Sequence, residues 1–246
     1  MAVLSVERLS KAYDGVHALR GVSFSVDAGE LVAMIGPNGA GKTTCFNIMN
    51  GQLRPDAGEV RLEGTALTGL APRAIWRLGV GRTFQVAATF GSMSVRENVQ
   101  MALLSHKRLL GSFFKKTEHV LVTQADALLG SVGMAGQAQR PCAELAYGDL
   151  KRVELAVALA HRPRLLLMDE PTAGMAAEER QELMQLAARL ARSEKLAVLF
   201  TEHDMEVVFG FADRVIVLHG GEIIASGTPA EVRNNPQVRE VYLGDT

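Results

Sequence analysis

A glycine-rich stretch between an apolar run and a potential helix constrains the fold more than any other feature. The run Leu31–Ile35 leads into it, and residues 45–49 can continue as a helix. Its glycines let the backbone turn tightly and approach a ligand, while converging N–H groups and the helix dipole favour an anion. Strand, loop and helix together predict a phosphate-binding P-loop rather than a mere connection. Its residues are Gly36, Pro37, Asn38, Gly39, Ala40, Gly41, Lys42, Thr43 and Thr44.

Two side chains of this loop, together with two acids elsewhere, predict phosphoryl-transfer chemistry. Lys42 can reach the outer phosphates as a mobile positive charge, and the Thr43 hydroxyl can ligate Mg²⁺. The apolar segment Leu165–Asp169 ends in one acid, and Glu170 follows it directly. We expect Asp169 to bind Mg²⁺ through water and Glu170 to deprotonate the attacking water. The alternative is a strand whose end simply reaches solvent.

Four further features are weaker taken singly. Tyr13 precedes the P-loop strand and can stack on a nucleotide base, although plain packing is the alternative interpretation. His203 follows the apolar run Ala197–Thr201, at the edge where strand-end sites gather. Gln85 ends another strand-like segment and carries little information by itself. Residues 145–149 precede a helical pattern, so their N–H groups can also face an anion.

The pattern of elements predicts one domain with an insertion in a chain of 246 residues. The predicted core covers residues 1–86 and 150–227. A helical insertion covers about 87–149, because the strand-like alternation stops there and a capping box at residues 94–97 starts a helix. A polar tail, residues 228–246, completes the chain.

Composition excludes several classes of protein. The net charge of −1 gives no basic face for nucleic acid, and two cysteines form neither a metal motif nor a disulfide framework. We find no signal peptide and no apolar run long enough to span a bilayer. These features predict a soluble cytoplasmic protein that can still dock onto a membrane protein.

In their order and spacing, the motifs resemble those of ABC transporter ATP-binding subunits over essentially the whole chain. Residues 36–43 match the Walker A motif, Leu165–Asp169 matches Walker B, and Glu170 falls at the catalytic glutamate. The resemblance implies an α/β fold with a P-loop (RecA-like) core and mixed sheet, an N-terminal antiparallel β-subdomain and an inserted α-helical subdomain. It also implies ATP and Mg²⁺ as cofactors.

The same resemblance gives roles to the weaker candidates. Gln85 falls at the Q-loop that senses the metal and the attacking water, and it joins Thr43 and Asp169 as a metal residue. His203 falls at the switch histidine, and Tyr13 at the aromatic position that stacks on adenine. Residues 145–149 match the signature motif, which closes over the γ-phosphate of a second subunit. The signature residues expected at ATP are Ala146, Tyr147 and Gly148.

Four segments narrow the resemblance to the ATPases of branched-chain amino acid importers, the LivG type. They are residues 82–85, 145–148, 202–205 and 241–244. Urea and amide importers share this pattern, and the lipopolysaccharide-export ATPase shares the tail. The segments therefore favour amino-acid import and leave these other cargoes open.

Two motifs depart from the family pattern. The usual signature is Leu-Ser-Gly-Gly-Gln, whereas here Ala146 lacks the serine hydroxyl, Tyr147 replaces a glycine and Asp149 replaces the glutamine. Gly148 remains, so we expect the anion site to rely on backbone N–H groups. Residues 173–176 lack the aspartate that usually communicates across the dimer, which weakens any inference about coupling between the two sites.

The resemblance implies a peripheral protein on the cytoplasmic face of the inner (plasma) membrane. Its implied partners are integral membrane permease subunits, a second ATPase subunit of the same or different sequence and, indirectly, a periplasmic or extracellular substrate-binding protein. No nucleic acid is expected. The alternatives are a soluble ABC-type ATPase acting on DNA or ribosomes, a nucleotide-binding regulator with little turnover, and a transporter of urea, short amides, lipid or lipopolysaccharide.

Overall fold

The computed structural model describes residues 2–83, 89–107 and 121–243. The described strands are β1 (Ala2–Tyr13), β2 (Val16–Asp27), β3 (Leu31–Ile35), β4 (Ala57–Leu62), β5 (Thr65–Ala66), β6 (Val80–Thr83), β7 (Leu165–Asp169), β8 (Ala197–Thr201), β9 (Arg214–His219) and β10 (Glu222–Gly227). The described α-helices are α1 (Lys42–Met49), α2 (Pro72–Leu78), α3 (Val95–His106), α4 (Val122–Ser131), α5 (Tyr147–Leu159), α6 (Ala177–Glu194), α7 (Met205–Phe211), α8 (Pro229–Asn234) and α9 (Pro236–Val238).

The strands form two sheets of different kinds. The first has the order β2-β1-β4-β5 and is antiparallel throughout. The second has the order β10-β9-β3-β8-β7-β6, and its neighbours are parallel except for the antiparallel pair β9 and β10. Helices α3, α4 and α5 come between β6 and β7 in the chain. The predicted α/β fold is therefore confirmed, whereas the domain boundaries stay predictions.

The core lies on both faces of the six-stranded sheet, and β3 shows why. Successive side chains of a strand point to opposite faces, so a strand covered on both sides is apolar throughout. Leu31, Ala33 and Ile35 belong to a buried cluster with residues of α3 and α5 to α7. Val32 and Met34 belong to a second cluster, with residues of α1 and the antiparallel sheet. The antiparallel sheet and the helices thus hold the central strands from opposite sides.

Two helix starts test the predictions made from the sequence. Helix α3 begins after Ser94, and Ser94 and Glu97 form the predicted capping box. Helix α5 was expected near residue 150, but it begins at Tyr147 after an extended Ala146. Gly148 therefore lies in the first turn rather than before the helix. Like the other N–H groups of a first helical turn, that of Gly148 has no partner within the helix.

In the described ranges, no helix combines the length and the apolar character that a membrane span requires.

Candidate active site

Three loops leave the six-stranded sheet side by side, at the carboxyl ends of its parallel strands. The P-loop follows β3, Glu170 follows β7 and His203 lies just beyond β8. Strand β8 pairs in parallel with both β3 and β7, so the carboxyl ends of the three strands are neighbours. Sites in parallel sheets form outside these ends. The topology thus brings together residues that lie far apart in the chain.

Two glycines of the P-loop occupy positions that no other residue fits without displacement. Gly36 has a φ of 154°, and a Cβ added there would lie 2.1 Å from the Leu218 carbonyl oxygen. Gly41, with a φ of 107°, would place a Cβ 2.5 Å from the Ala18 carbonyl oxygen. The loop is therefore pressed between β9 and β2, and its path depends on both glycines.

Lys42 begins α1 and reaches back over the loop that precedes it. Its Nζ donates to the carbonyl oxygens of Gly36 at 2.6 Å and Pro37 at 3.2 Å. Burial lowers the pKa of Lys42, while the charges of Glu170 and Asp169 act in the opposite direction. Lys42 is only 8% exposed and its ammonium lies against the carbonyls of the P-loop, so a phosphate entering the loop would meet it directly.

Asp169 is anchored through both of its carboxylate oxygens. Its Oδ1 accepts from the Thr201 hydroxyl at 2.9 Å, and its Oδ2 accepts from the Arg82 guanidinium at 3.0 Å. Arg82 also donates to Asn47 at 2.9 Å and to Gln52 at 3.2 Å. The guanidinium therefore links β7 to the end of the P-loop helix and fixes the orientation of the Asp169 carboxylate.

Glu170 and His203 form the central contact of the site. His203 Nε2 lies 2.8 Å from Glu170 Oε1. The backbone of Glu170 is left-handed, with a φ of 46°, and its N–H donates to Thr201 Oγ1 at 3.0 Å. Non-glycine residues seldom adopt this conformation, and those that do are often at functional sites. The backbone turn points Glu170 towards His203 and away from the path of the strand.

Polar residues beside His203 tie its loop to the segment that follows Glu170. Glu202 accepts hydrogen bonds from the backbone N–H and hydroxyl groups of Thr172. Asp204 forms an ion pair with Arg180 of α6 and caps α7 by accepting from two backbone N–H groups. The ends of these two loops are thus joined on both sides of His203.

Sequence reasoning missed Arg82, Thr201, Glu202 and Asp204. Thr201, Glu202 and Asp204 could have been found, because they are polar residues at the end of the same apolar strand as His203. Arg82 gave no such signal. It meets Asp169 because β6 pairs in parallel with β7, which places Arg82 opposite Leu167.

The other predicted residues lie on separate elements. Tyr13 ends β1 with 46% of its surface exposed, and Lys11 Nζ lies 5.6 Å from the centroid of its ring. A Cβ on Gly148 would lie 2.8 Å from Glu179 Oε1, and one on Gly174 would lie 3.7 Å from the Tyr147 ring. The signature segment that begins α5 therefore packs beside the loop after Glu170. Gln85 falls outside the described residues.

Comparisons with known proteins agree with this arrangement. The family model "ABC transporter" matches residues 19–173, and the model "Branched-chain amino acid ATP-binding cassette transporter" matches residues 222–246. The chain is 39% identical to the high-affinity branched-chain amino acid transport ATP-binding protein LivG of Salmonella typhimurium, over 99% of this chain and 98% of the relative. It is 36% identical to the lipopolysaccharide export system ATP-binding protein LptB of Acidithiobacillus ferridurans, over 99% and 97%.

A solved structure extends the similarity to three dimensions. It is the crystal structure of an ATP-binding cassette of an ABC transporter in its ADP conformation. The two chains superpose with a TM-score of 0.87 at 31% identity, and the match covers 100% of each. The resemblance found in the sequence therefore holds for the whole fold.

Proposed function

The chain belongs to the family of ABC transporter ATP-binding proteins, and we propose that it hydrolyses ATP to power the import of branched-chain amino acids. The proposal that the chain is an ATPase rests on the 2.8 Å contact between Glu170 and His203. Lys42 and Asp169 lie at the same ends of the parallel strands. A carboxylate held by a histidine beside a phosphate-binding loop is suited to activating water for attack on a phosphate.

Binding of ATP relies on the P-loop and on Lys42. The backbone N–H groups of residues 36–44 would surround the phosphates at the start of α1, where the helix dipole adds to their attraction. Lys42 would exchange its bonds to two carbonyl oxygens for bonds to the outer phosphates. The exposed ring of Tyr13 would stack on the adenine.

Hydrolysis relies on Glu170 as the general base. The carboxylate would accept a proton from water as the water attacks the γ-phosphorus, and the bond to the leaving oxygen of ADP would break. His203 would orient the carboxylate through the hydrogen bond already present. Gln85, by its family position, would help to hold this water.

The residues near Lys42 suit Mg²⁺. Thr43 offers a hydroxyl and Asp169 a carboxylate, and such hard oxygen donors are the ligands that Mg²⁺ prefers. We propose that Thr43 binds the ion directly, that Asp169 binds it through water and that Gln85 completes the set. When bound, the ion neutralises charge on the β- and γ-phosphates.

A second ATPase subunit would complete each site. The signature segment of one subunit would close over the γ-phosphate bound to the other, with Gly148 and the start of α5 supplying N–H groups. Ala146 has no hydroxyl to add, so backbone groups and Tyr147 would make the contact. Closure on ATP and opening after hydrolysis would then drive a membrane permease.

Two features favour branched-chain amino acids as the cargo. The match over residues 222–246 is to a family defined by this cargo, and the relative at 39% identity bears the same name. The lipopolysaccharide-export relative at 36% identity keeps a lipid exporter as the second candidate. With either cargo, we propose a peripheral position for the chain on the cytoplasmic face of a membrane.

A pull-down of the tagged chain from gently solubilised native membranes, followed by mass spectrometry, tests this proposal. We expect two permease chains, a second ATPase and, through them, a binding protein that retains leucine. A binding protein that retains urea or amides instead, or lipid-export partners, would overturn the cargo. Recovery of ribosomal or DNA-repair proteins with no membrane protein would overturn the transporter.

A further inference from the structure

We propose that Glu202 is a positioning residue that sets the contact between His203 and Glu170. The inference rests on the proposed ATPase function and concerns a residue that does not touch ATP. Glu202 lies directly before His203 in the chain, yet its side chain points into the protein and is bonded to the loop that follows Glu170.

Both oxygens of the Glu202 carboxylate are used, and each serves a different loop. Oε1 accepts from the Thr172 backbone N–H at 2.9 Å and from the Thr172 hydroxyl at 2.5 Å. Oε2 accepts from the His203 backbone N–H at 3.0 Å. One rigid carboxylate therefore fixes the distance between the backbone of the histidine and the backbone two residues after the general base.

The chemistry of these bonds makes them strong. Glu202 is 4% exposed, and all three of its partners are donors, which match an ionised carboxylate that only accepts. No lysine or arginine forms an ion pair with it within the part of the chain that the structure describes. Hydrogen bonds to a buried charge are stronger than neutral ones, and losing one leaves the charge poorly satisfied.

The bonds close a ring through the catalytic pair. From Glu170 the ring passes along the backbone to Thr172, through the Glu202 carboxylate to the His203 backbone, and through the imidazole back to the Glu170 carboxylate. The 2.8 Å contact between His203 and Glu170 is one side of this ring. The distance between His203 and Glu170 therefore depends on the bonds from Glu202 to Thr172 and to the His203 backbone. Asp204, paired with Arg180, holds the far side of the same loop.

Substitution of Glu202 by glutamine tests the ring with little change of shape. The amide oxygen can still accept from Thr172, but the NH₂ group then faces the His203 N–H, donor against donor. We expect kcat for ATP hydrolysis by the solubilised transporter complex to fall about tenfold to a hundredfold, since small misplacements of reacting groups cost this much. The affinity for ATP, measured with a fluorescent analogue, stays unchanged.

A double-mutant comparison separates positioning from ordinary stabilisation. In a His203→Ala background, where single-turnover hydrolysis is followed over hours, Glu202→Gln should cause no further loss, because its effect passes through the histidine. Thr172→Val should lower kcat less than Glu202→Gln does, and again only when His203 is present. Thr172→Ser keeps the hydroxyl and should therefore keep the activity. This second pair also tests the ring if Glu202→Gln fails to fold.

Each result has one reading. Equal losses with and without His203, or full activity of Glu202→Gln, would overturn the positioning role while leaving the ATPase intact. A wild-type complex, with the second ATPase subunit present, that binds ATP without hydrolysing it would instead overturn the proposed function.

Discussion

A single hydroxyl joins the two adjacent carboxyl residues of the site. Thr201 Oγ1 donates to Asp169 and accepts from the backbone N–H of Glu170, and the residue is almost completely buried. Thr201→Val keeps the shape and removes both bonds. We expect the free energy of unfolding to fall by about 1–3 kcal/mol, because two buried polar groups lose a partner. Turnover should fall as well, since both carboxyl residues lose an anchor. Urea unfolding and phosphate release measure the two effects.

Thr68 provides a matched control for this substitution. Its hydroxyl accepts from the Val60 backbone N–H at 2.9 Å, beside the antiparallel sheet and away from the candidate active site. Thr68→Val should lower the stability and leave kcat unchanged. If Thr201→Val behaved in the same way, Thr201 would be a structural residue only.

His161 should make the stability of the protein depend on pH. Burial lowers its pKa from 6.5 to about 4. Between these pH values the unfolded chain binds a proton that the folded chain does not. The free energy of unfolding therefore decreases as the pH is lowered. Well above pH 6.5, His161 is neutral in both states and does not affect stability. As the pH falls to 4, the free energy of unfolding decreases by about 3 kcal/mol.

Replacing His161 with phenylalanine should remove this dependence while keeping a ring against Trp76, whose centroid lies 4.6 Å away. Urea unfolding of both proteins at pH 7 and pH 4.5 measures it. All other titrating groups are common to the two proteins. Lowering the pH from 7 to 4.5 should therefore reduce the free energy of unfolding of the wild type more than that of the variant. A constant difference would show that His161 is not the cause.

At the scale of elements, the P-loop depends on its neighbours as much as on its own sequence. Gly41 lies directly before α1, where β2 passes, and a Cβ on it would meet a backbone oxygen at 2.5 Å and Leu19 at 2.8 Å. Gly41→Ala should therefore displace the loop and weaken ATP binding at least tenfold, as measured by titration. Gly64→Ala is the control, since its φ of 81° is comparable but nothing lies within 4 Å.

The two glycine variants separate backbone strain from the clash. Gly64→Ala should cost about 1–2 kcal/mol of stability, the usual cost of a left-handed residue, and leave ATP binding unchanged. If Gly41→Ala bound ATP normally, the close packing of the loop against β2 would not matter for the site.

Local signals predicted the elements better than they predicted the contacts between them. The capping box fixed the start of α3, because Ser94 and Glu97 interact within one turn. The acids at the end of β7 identified the site, because buried strands seldom end that way. The pairing of Arg82 with Asp169, however, depends on strand order, and the link from Glu202 to Thr172 depends on a loop conformation. Neither leaves a pattern within one segment of sequence.

At the scale of the whole molecule, the two segments that we propose to contact ATP lie on different elements of the chain. The P-loop, Glu170 and His203 meet at the sheet edge, whereas the signature segment lies at the start of α5 beside Gly174 and Glu179. In the proposed pair of subunits, each segment would meet the complementary segment of the other subunit. Hydrolysis and opening of the closed pair would then be linked, because the γ-phosphate would hold the two subunits together.

Glu170→Gln separates ATP binding from hydrolysis in the assembled transporter. The amide keeps the size and the contact with His203 but cannot accept the proton, so turnover should fall by about 10²- to 10⁴-fold, the usual contribution of a general base. Because the P-loop and Lys42 are unchanged, the variant should retain ATP through gel filtration of the solubilised complex, whereas the wild type should release ADP. Lys42→Ala is the control: it lacks the ammonium that the P-loop carbonyls now hold and should retain no nucleotide. Normal turnover by Glu170→Gln would remove Glu170 as the base, and loss of ATP by both variants would mean that Glu170 serves binding rather than the chemical step.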